Sequence, residues 1–261
     1  MPEGHTIRRI AQDHQRWFAG ETLEVSSPQG RFREDAAQLD GSRLQSVDAH
    51  GKHLCYVCDA GRLHIHLGLY GKFRKLNVPP PEPKGEVRLR VVAARHAFDL
   101  NGPSTCELIS ESGWNALRQR LGPDPLRRDA DSLAVWERIH RSRAAIGTLL
   151  LDQSVIAGVG NIYRAESLFR ERIHPRRLGN ALAREEFERL WKTLKDLMRI
   201  GVRYNRIITA DPVWVGKTRG RMDASERLMI YKKPACPRCH KQIQQFELAS
   251  RAIYACSGCQ A

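Results

Sequence analysis

Two Cys-x-x-Cys pairs, Cys236-Pro-Arg-Cys239 and Cys256-Ser-Gly-Cys259, stand sixteen residues apart at the end of the 261-residue chain. Two residues between thiolates let one tight turn aim both sulfurs at one ion. Two such turns at the ends of a hairpin complete a tetrahedral Cys₄ site. The intervening IQQFELASRAIYA alternates like two strands around a turn near Ala249-Ser250. The expected module is a zinc ribbon over 233–261, with Cys236, Cys239, Cys256 and Cys259 holding one structural Zn²⁺. A redox pair does not account for the duplicated spacing. Cys55 and Cys58 form a third Cys-x-x-Cys, but on a strand positions i and i+3 face opposite sides, so buried thiols are expected there. His64 and His66 share one strand face with no third ligand nearby, and a structural role is expected for them too.

The rest of the chain divides by hydrophobic period. Ile7, Ile10, Ala11, His14, Trp17 and Phe18 predict a first helix, with Thr6 as N-cap and Gly20 as its stop. From about Glu21 to Leu108 short alternating runs take over. Leu63, Ile65 and Leu67 alternate with His64 and His66, and Val87, Leu89 and Val91 alternate with Arg88 and Arg90. Pro79-Pro80-Pro81-Glu82-Pro83 reads as an exposed stiff connector. The natural architecture for this stretch is an antiparallel sandwich. Beyond Gly122-Pro123-Asp124-Pro125 the pattern is helical. A helix is predicted over 144–151, and Phe187, Leu190, Trp191, Leu194, Leu197 and Met198 form a stripe closed by Gly201. The segment 205–235 loses this period and reads as a basic, mobile loop. The fold class is therefore α+β, with three domains: a sandwich with flanking helices over 1–121, a helical domain over 122–232, and the ribbon over 233–261.

Charge decides what such a chain meets. With 43 Lys plus Arg against 29 Asp plus Glu, the net charge is +14. Arg outnumbers Lys 33 to 10, which favours bidentate contacts to phosphate. A polyanion is the expected partner, nucleic acid ahead of membrane. A composition of 41% hydrophobic and 28% charged residues excludes a disordered chain. No apolar run is long enough to span a bilayer, and MPEGHTIRRI lacks a signal core. A cytoplasmic protein, nucleoid-associated if bacterial, is expected, and the clustered cysteines then read as metal ligands before disulfides.

Two further segments carry chemistry. In Gln153-Ser-Val-Ile-Ala-Gly-Val-Gly-Asn161-Ile-Tyr-Arg-Ala-Glu166 a helix ends, a glycine-containing turn follows, and a second helix begins near Asn161. The helix start offers free N–H groups to an anion, and Asn161 can cap it or donate to a phosphate. At the N-terminus, removal of Met1 before the small Pro2 exposes a secondary amine. An α-amino pKa of about 8 leaves a useful neutral fraction. Such an amine attacks a sugar aldehyde carbon to give an iminium, and Glu3 alongside can move protons.

Together these pieces resemble the formamidopyrimidine-DNA glycosylase and endonuclease VIII family of base-excision repair enzymes, from residue 1 to about 260. The resemblance rests on Pro2-Glu3-Gly4, Gly51-Lys52, the Gly-x-Gly-Asn-Ile-Tyr helix–two-turn–helix signature, and the ribbon ending in Cys-x-x-Cys-Gln. It implies an N-terminal sandwich, a helix–two-turn–helix domain and a zinc-ribbon hairpin, with damaged duplex DNA in the cleft. By position, Pro2 resembles the Schiff-base nucleophile, Glu3 the general acid/base, and Lys52 the lysine that contacts the backbone near the lesion. Asn161 and Arg251 resemble the pair that pins phosphates flanking a flipped nucleotide. Leu69 and Tyr70 sit where the family carries its intercalating wedge. Three departures stand out. Thr6 replaces the family's Glu, Ser250 replaces a common Gly before the ribbon arginine, and Asp99-Leu-Asn-Gly-Pro103 stands where the formamidopyrimidine branch has a wedge loop. The last favours the endonuclease VIII branch and oxidised pyrimidines. The implied activity is that of a bifunctional glycosylase and abasic-site lyase, a monomer needing no small-molecule cofactor. The alternative is a non-catalytic zinc-ribbon protein that binds damaged DNA.

Overall fold

A computed structural model describes residues 2–261. The chain divides into two compact units: residues 2–3 with Ile7–Arg120, and Gly4–Thr6 with Leu121–Ala261.

In the first unit, helix α1 (Gly4–Phe18) starts two residues before the expected cap, with Glu3 rather than Thr6 at the N-cap. Its apolar stripe, Ile7, Ala11 and Phe18, is buried, and Gly20 follows with φ +85°. The chain then makes β1 (Glu24–Ser26), helix α2 (Arg33–Leu39), and strands β2 (Leu44–His50), β3 (His53–Cys58), β4 (Gly61–His66), β5 (Lys72–Leu76), β6 (Val87–Val92), β7 (Ala97–Asn101) and β8 (Thr105–Ile109). They form two four-stranded antiparallel sheets, ordered β1-β6-β7-β5 and β2-β3-β4-β8. Leu89, Phe98 and Leu100 of one sheet and Leu54, Leu63 and Ile65 of the other belong to one buried cluster. The expected sandwich is present, because alternation puts one apolar face of each sheet inward. Alternation misplaced one residue. Arg90 is buried rather than solvated, because its guanidinium grips the cross-strand Asp99 with two bonds of 2.7 and 2.9 Å. Helix α3 (Glu111–Arg120) ends the unit.

The second unit holds α4 (Ser132–His140), α5 (Ile146–Leu149), α6 (Asn161–Arg170), α7 (Arg184–Tyr204), α8 (Pro212–Val215) and a hairpin of β9 (Gln244–Glu247) and β10 (Ala252–Ala255). The helix predicted over 144–151 shrinks to one turn. Helix α7 does not stop at Gly201; it runs three residues further and ends on Asn205 in the left-handed region. The stripe residues Leu190, Leu194, Leu197 and Met198 share one apolar cluster with Phe169 of α6 and with Ile253 and Cys256 of the hairpin. The hairpin is thus built into the core of the helical unit. Nor is 205–235 an unanchored loop: Ile208, Met222, Met229 and Ile230 in it are buried. Among the described residues no helix is long and apolar enough to cross a membrane.

Candidate active site and nucleic-acid interface

Pro2 is half-buried in the extended leader before α1, and Glu3 beside it is fully buried, with φ −119° and ψ 176°. The next residue is clamped. The Gly4 N–H donates to the Gly158 carbonyl at 2.8 Å, and a β-carbon on Gly4 would lie 2.8 Å from the Met198 methyl and 2.9 Å from Gly158 Cα. Only glycine fits there. Gly158 in turn belongs to a turn organised by Gln153, whose Oε1 accepts from the Gly158 N–H and whose Nε2 donates to the Leu151 and Val159 carbonyls. Thr6 Oγ1 lies 3.2 Å from His5 Nε2, and burial lowers the His5 imidazole to about 4.

Lys52 occupies the two-residue turn of the β2–β3 hairpin, between the cross-strand pair His50 and His53. Leu69 and Tyr70 sit where the chain crosses from β4 in one sheet to β5 in the other, in a turn closed by the Gly71 N–H on the Leu67 carbonyl. Their exposures are 49% and 84%, so neither is core. Cross-strand pairing also supplies neighbours for the histidines that were not visible along the chain. His64 Nδ1 meets Glu107 Oε1 at 2.9 Å, His53 Nδ1 meets His64 Nε2 at 3.0 Å, and His66 Nδ1 meets Ser104 Oγ at 2.7 Å. Burial, then the nearby His66, His64, His50 and Lys52, lowers His53 to about 3. The His53 imidazole is therefore neutral near pH 7, as a structural role requires. Cys55 and Cys58 are buried thiols, pushed up by desolvation to about 12 and about 11.

In the second unit Asn161 is the first residue of α6 rather than its cap, which is Gly160. Its Nδ2 donates to the Ala252 carbonyl at 2.8 Å, so the structure brings Asn161 to the backbone immediately after Arg251. Arg251 is exposed, beside the β9–β10 turn in which Ala249 and Ser250 both have positive φ. Sequence reasoning missed two residues that hold this arrangement. Arg164, fully buried, donates to Asn161 Oδ1 and to the carbonyls of Gly147, Leu248 and Ala252. Glu166, also fully buried, accepts from the Thr209 hydroxyl and from the backbone N–H groups of Met229, Ile230 and Tyr231. Their spacing, two apart on a helix, shows only that they cannot pair with each other and not that they are buried.

The four ribbon cysteines converge, with all sulfurs within 4.8 Å of one another. Cys236 Sγ and Cys259 Sγ are 3.8 Å apart, and Cys239 and Cys256 Sγ are 3.4 Å apart. The edge of a tetrahedron of sulfurs at zinc-like bond length is about 3.8 Å. The set fits a tetrahedral metal ion. The Lys241 backbone N–H, then the neighbouring Cys256, pulls Cys239 down to about 7, while desolvation and the adjoining sulfurs push Cys259 up to about 12. Gln260 locks the second turn, accepting from the Cys256 N–H and donating to the Ile173 carbonyl.

Residues 1–104 match the formamidopyrimidine-DNA glycosylase N-terminal domain, and residues 121–212 match the H2TH domain of the same glycosylase. The protein Endonuclease 8 1 of Mycobacterium tuberculosis is 44% identical over 267 residues, covering all of both chains. The chain belongs to the formamidopyrimidine-DNA glycosylase and endonuclease VIII family. Another member, the formamidopyrimidine-DNA glycosylase of Thermomicrobium roseum, is 32% identical over all of this chain and 98% of its own. The fold is that of Lactococcus lactis Fpg in complex with abasic-site DNA, with a TM-score of 0.82 and 24% identity over 99% of each chain. It is equally that of MutM bound to DNA containing carbocyclic 8-oxo-G, with a TM-score of 0.83 and 24% identity over 99% of each. The nearer kinship to an endonuclease 8 agrees with the branch inferred from the missing wedge loop.

Proposed function

We propose that the protein is a bifunctional DNA glycosylase and abasic-site lyase of base-excision repair, removing oxidised bases with pyrimidines favoured. The observation that carries it is the leader: a fully buried Glu3 carboxylate next to Pro2, followed by the clamped Gly4, in a chain of this family. With Met1 removed, the Pro2 amine attacks C1′ of the damaged nucleotide as the base departs. The resulting iminium makes the 2′ proton acidic, and β- then δ-elimination breaks the two flanking C–O bonds to phosphate. Glu3 moves the protons at the sugar. Lys52 and Arg251 contact the backbone, and Asn161 joins them through the second N–H of its amide. Leu69 and Tyr70 fill the gap left by the flipped nucleotide, which their exposure permits. The ribbon ion is one structural Zn²⁺, since a closed Cys₄ set leaves no position for substrate. A monomer acting on damaged duplex DNA in the cytoplasm, without a small-molecule cofactor, completes the reading.

Borohydride reduction on duplex DNA with a single oxidised pyrimidine tests it. The wild-type protein should give a covalent adduct, which Pro2→Gly weakens and a retained Met1 abolishes. Glu3→Gln should bind the duplex normally yet lose excision by about 10²-fold or more. Lesion affinity without adduct or excision in the wild type would identify a binding protein instead.

A further inference from the structure

The ribbon carries an open strand edge beside a basic groove, on the strand that precedes the turn carrying Arg251. The Leu248 N–H bonds the Arg251 carbonyl and closes the hairpin, so along β9 the residues facing β10 alternate with residues facing away. Gln245 and Glu247 therefore direct their backbone N–H and C=O groups away from β10. Residues 234–236 cover only the start of that edge. The Ile243 N–H reaches the Pro234 carbonyl at 3.0 Å, and the Cys236 N–H reaches Lys241 at 2.8 Å. The chain then leaves at Pro234, and no described strand pairs with the edge of Gln244–Glu247.

A groove of about 680 Å³ runs along this stretch. Phe246 lies in it, with the His174 ring parallel at 6.0 Å and the Arg176 guanidinium 4.3 Å above its face. Arg176 and Lys241 give it two cations and none of its lining residues carries a carboxylate, while Glu247 ends the edge outside the groove. Unpaired strand donors and acceptors select an extended peptide backbone, and the two cations select acidic side chains along it. We propose that this groove binds an acidic, extended peptide segment of a partner protein, which adds as a strand to β9 where residues 234–236 stop.

The test uses the full-length, metal-loaded protein and a labelled peptide of alternating Asp and Val. A control peptide of equal charge carries Pro in place of each Val and cannot form a strand. The Asp-Val peptide should bind and the control should not. Gln245→Pro removes an outward N–H without touching the β9–β10 ladder, so it should abolish binding while Gln245→Ala retains it. Arg176→Glu with Lys241→Glu should weaken binding about tenfold or more, with an unchanged unfolding midpoint confirming the fold. Equal binding of the control peptide, or indifference to both sets of variants, would reduce the effect to attraction by the +14 charge and overturn the proposal. Displacement of the peptide by undamaged duplex DNA, with protection of the Gln245 and Glu247 amides by that duplex, would make the groove a nucleic-acid surface and overturn it too.

Discussion

At the scale of single residues, buried glycines beside the first helix leave no room for a β-carbon. Gly201 is the sharpest case. In an exposed helix interior, replacing Gly by Ala stabilises by about 0.5–1 kcal/mol. Here a β-carbon would stand 2.1 Å from the Tyr163 hydroxyl and 2.8 Å from the His5 ring. Gly201→Ala is therefore expected to destabilise by about 1–3 kcal/mol, since overpacking forces the helix or the ring aside. Denaturant unfolding measures it, and a stabilised variant would show that the contact is not rigid. The same residue marks a limit of sequence reading. A glycine at the end of an apolar stripe looks like a helix stop, whereas its cause is a side chain from another helix. The four cysteines were legible because their spacing alone singles them out, whereas Pro2 and Glu3 drew attention only beside the other motifs. Arg164 and Glu166 were not legible, because nothing local distinguishes a buried charge from a solvated one.

At the scale of elements, the period of hydrophobicity specified the strands and long helices, and the long loops escaped it. The 205–235 segment lacks a period because one carboxylate, not an apolar face, organises much of it. Glu166 on α6 holds Thr209 at one end and the amides of Met229, Ile230 and Tyr231 at the other. Glu166→Gln keeps the shape but replaces one acceptor oxygen with a donor that faces backbone donors. Each bond to a charged acceptor is worth about 1.5–3 kcal/mol, and a buried N–H left unpaired costs about as much again. A loss of about 3 kcal/mol is expected, with the Met229–Tyr231 amides exchanging much faster while the β2–β3 amides stay protected. Hydrogen exchange read residue by residue distinguishes this local release from global softening. Uniform loss of protection would show that Glu166 serves the whole fold. Asn161 stands five residues before Glu166 on the same helix, so the release should also lower DNA affinity while first-unit stability is unchanged.

At the scale of the whole molecule, two apolar cores carry the chain, and the ribbon belongs to only one of them. Cys236, Cys256, Ile253 and Tyr254 lie in the cluster that includes Phe169, Leu194 and Met198. The sandwich cluster, around Leu54, Ile65, Phe98 and Leu100, contains no ribbon residue. Metal binding to four thiolates is folding free energy for the part that holds them, of order 10 kcal/mol for structural zinc sites. Without an ion, four sulfurs within 4.8 Å in a partly buried site would repel if ionised and waste coordination if protonated. Chelation at neutral pH is therefore expected to split thermal unfolding into two transitions. The lower one belongs to the helical unit and ribbon, and the upper one, at the untreated temperature, to the sandwich. DNA affinity and borohydride trapping should fall together, because Asn161 is tied to the ribbon strand through Ala252. Calorimetry with added Zn²⁺ should restore the single transition and the trapping, and Mg²⁺ should not, since a hard cation gains little from thiolates. A single, unshifted transition after complete removal of metal would mean that the hairpin is held by its apolar contacts alone. The +14 charge would then still collect DNA, but Arg251 would owe its position to packing and not to the ion.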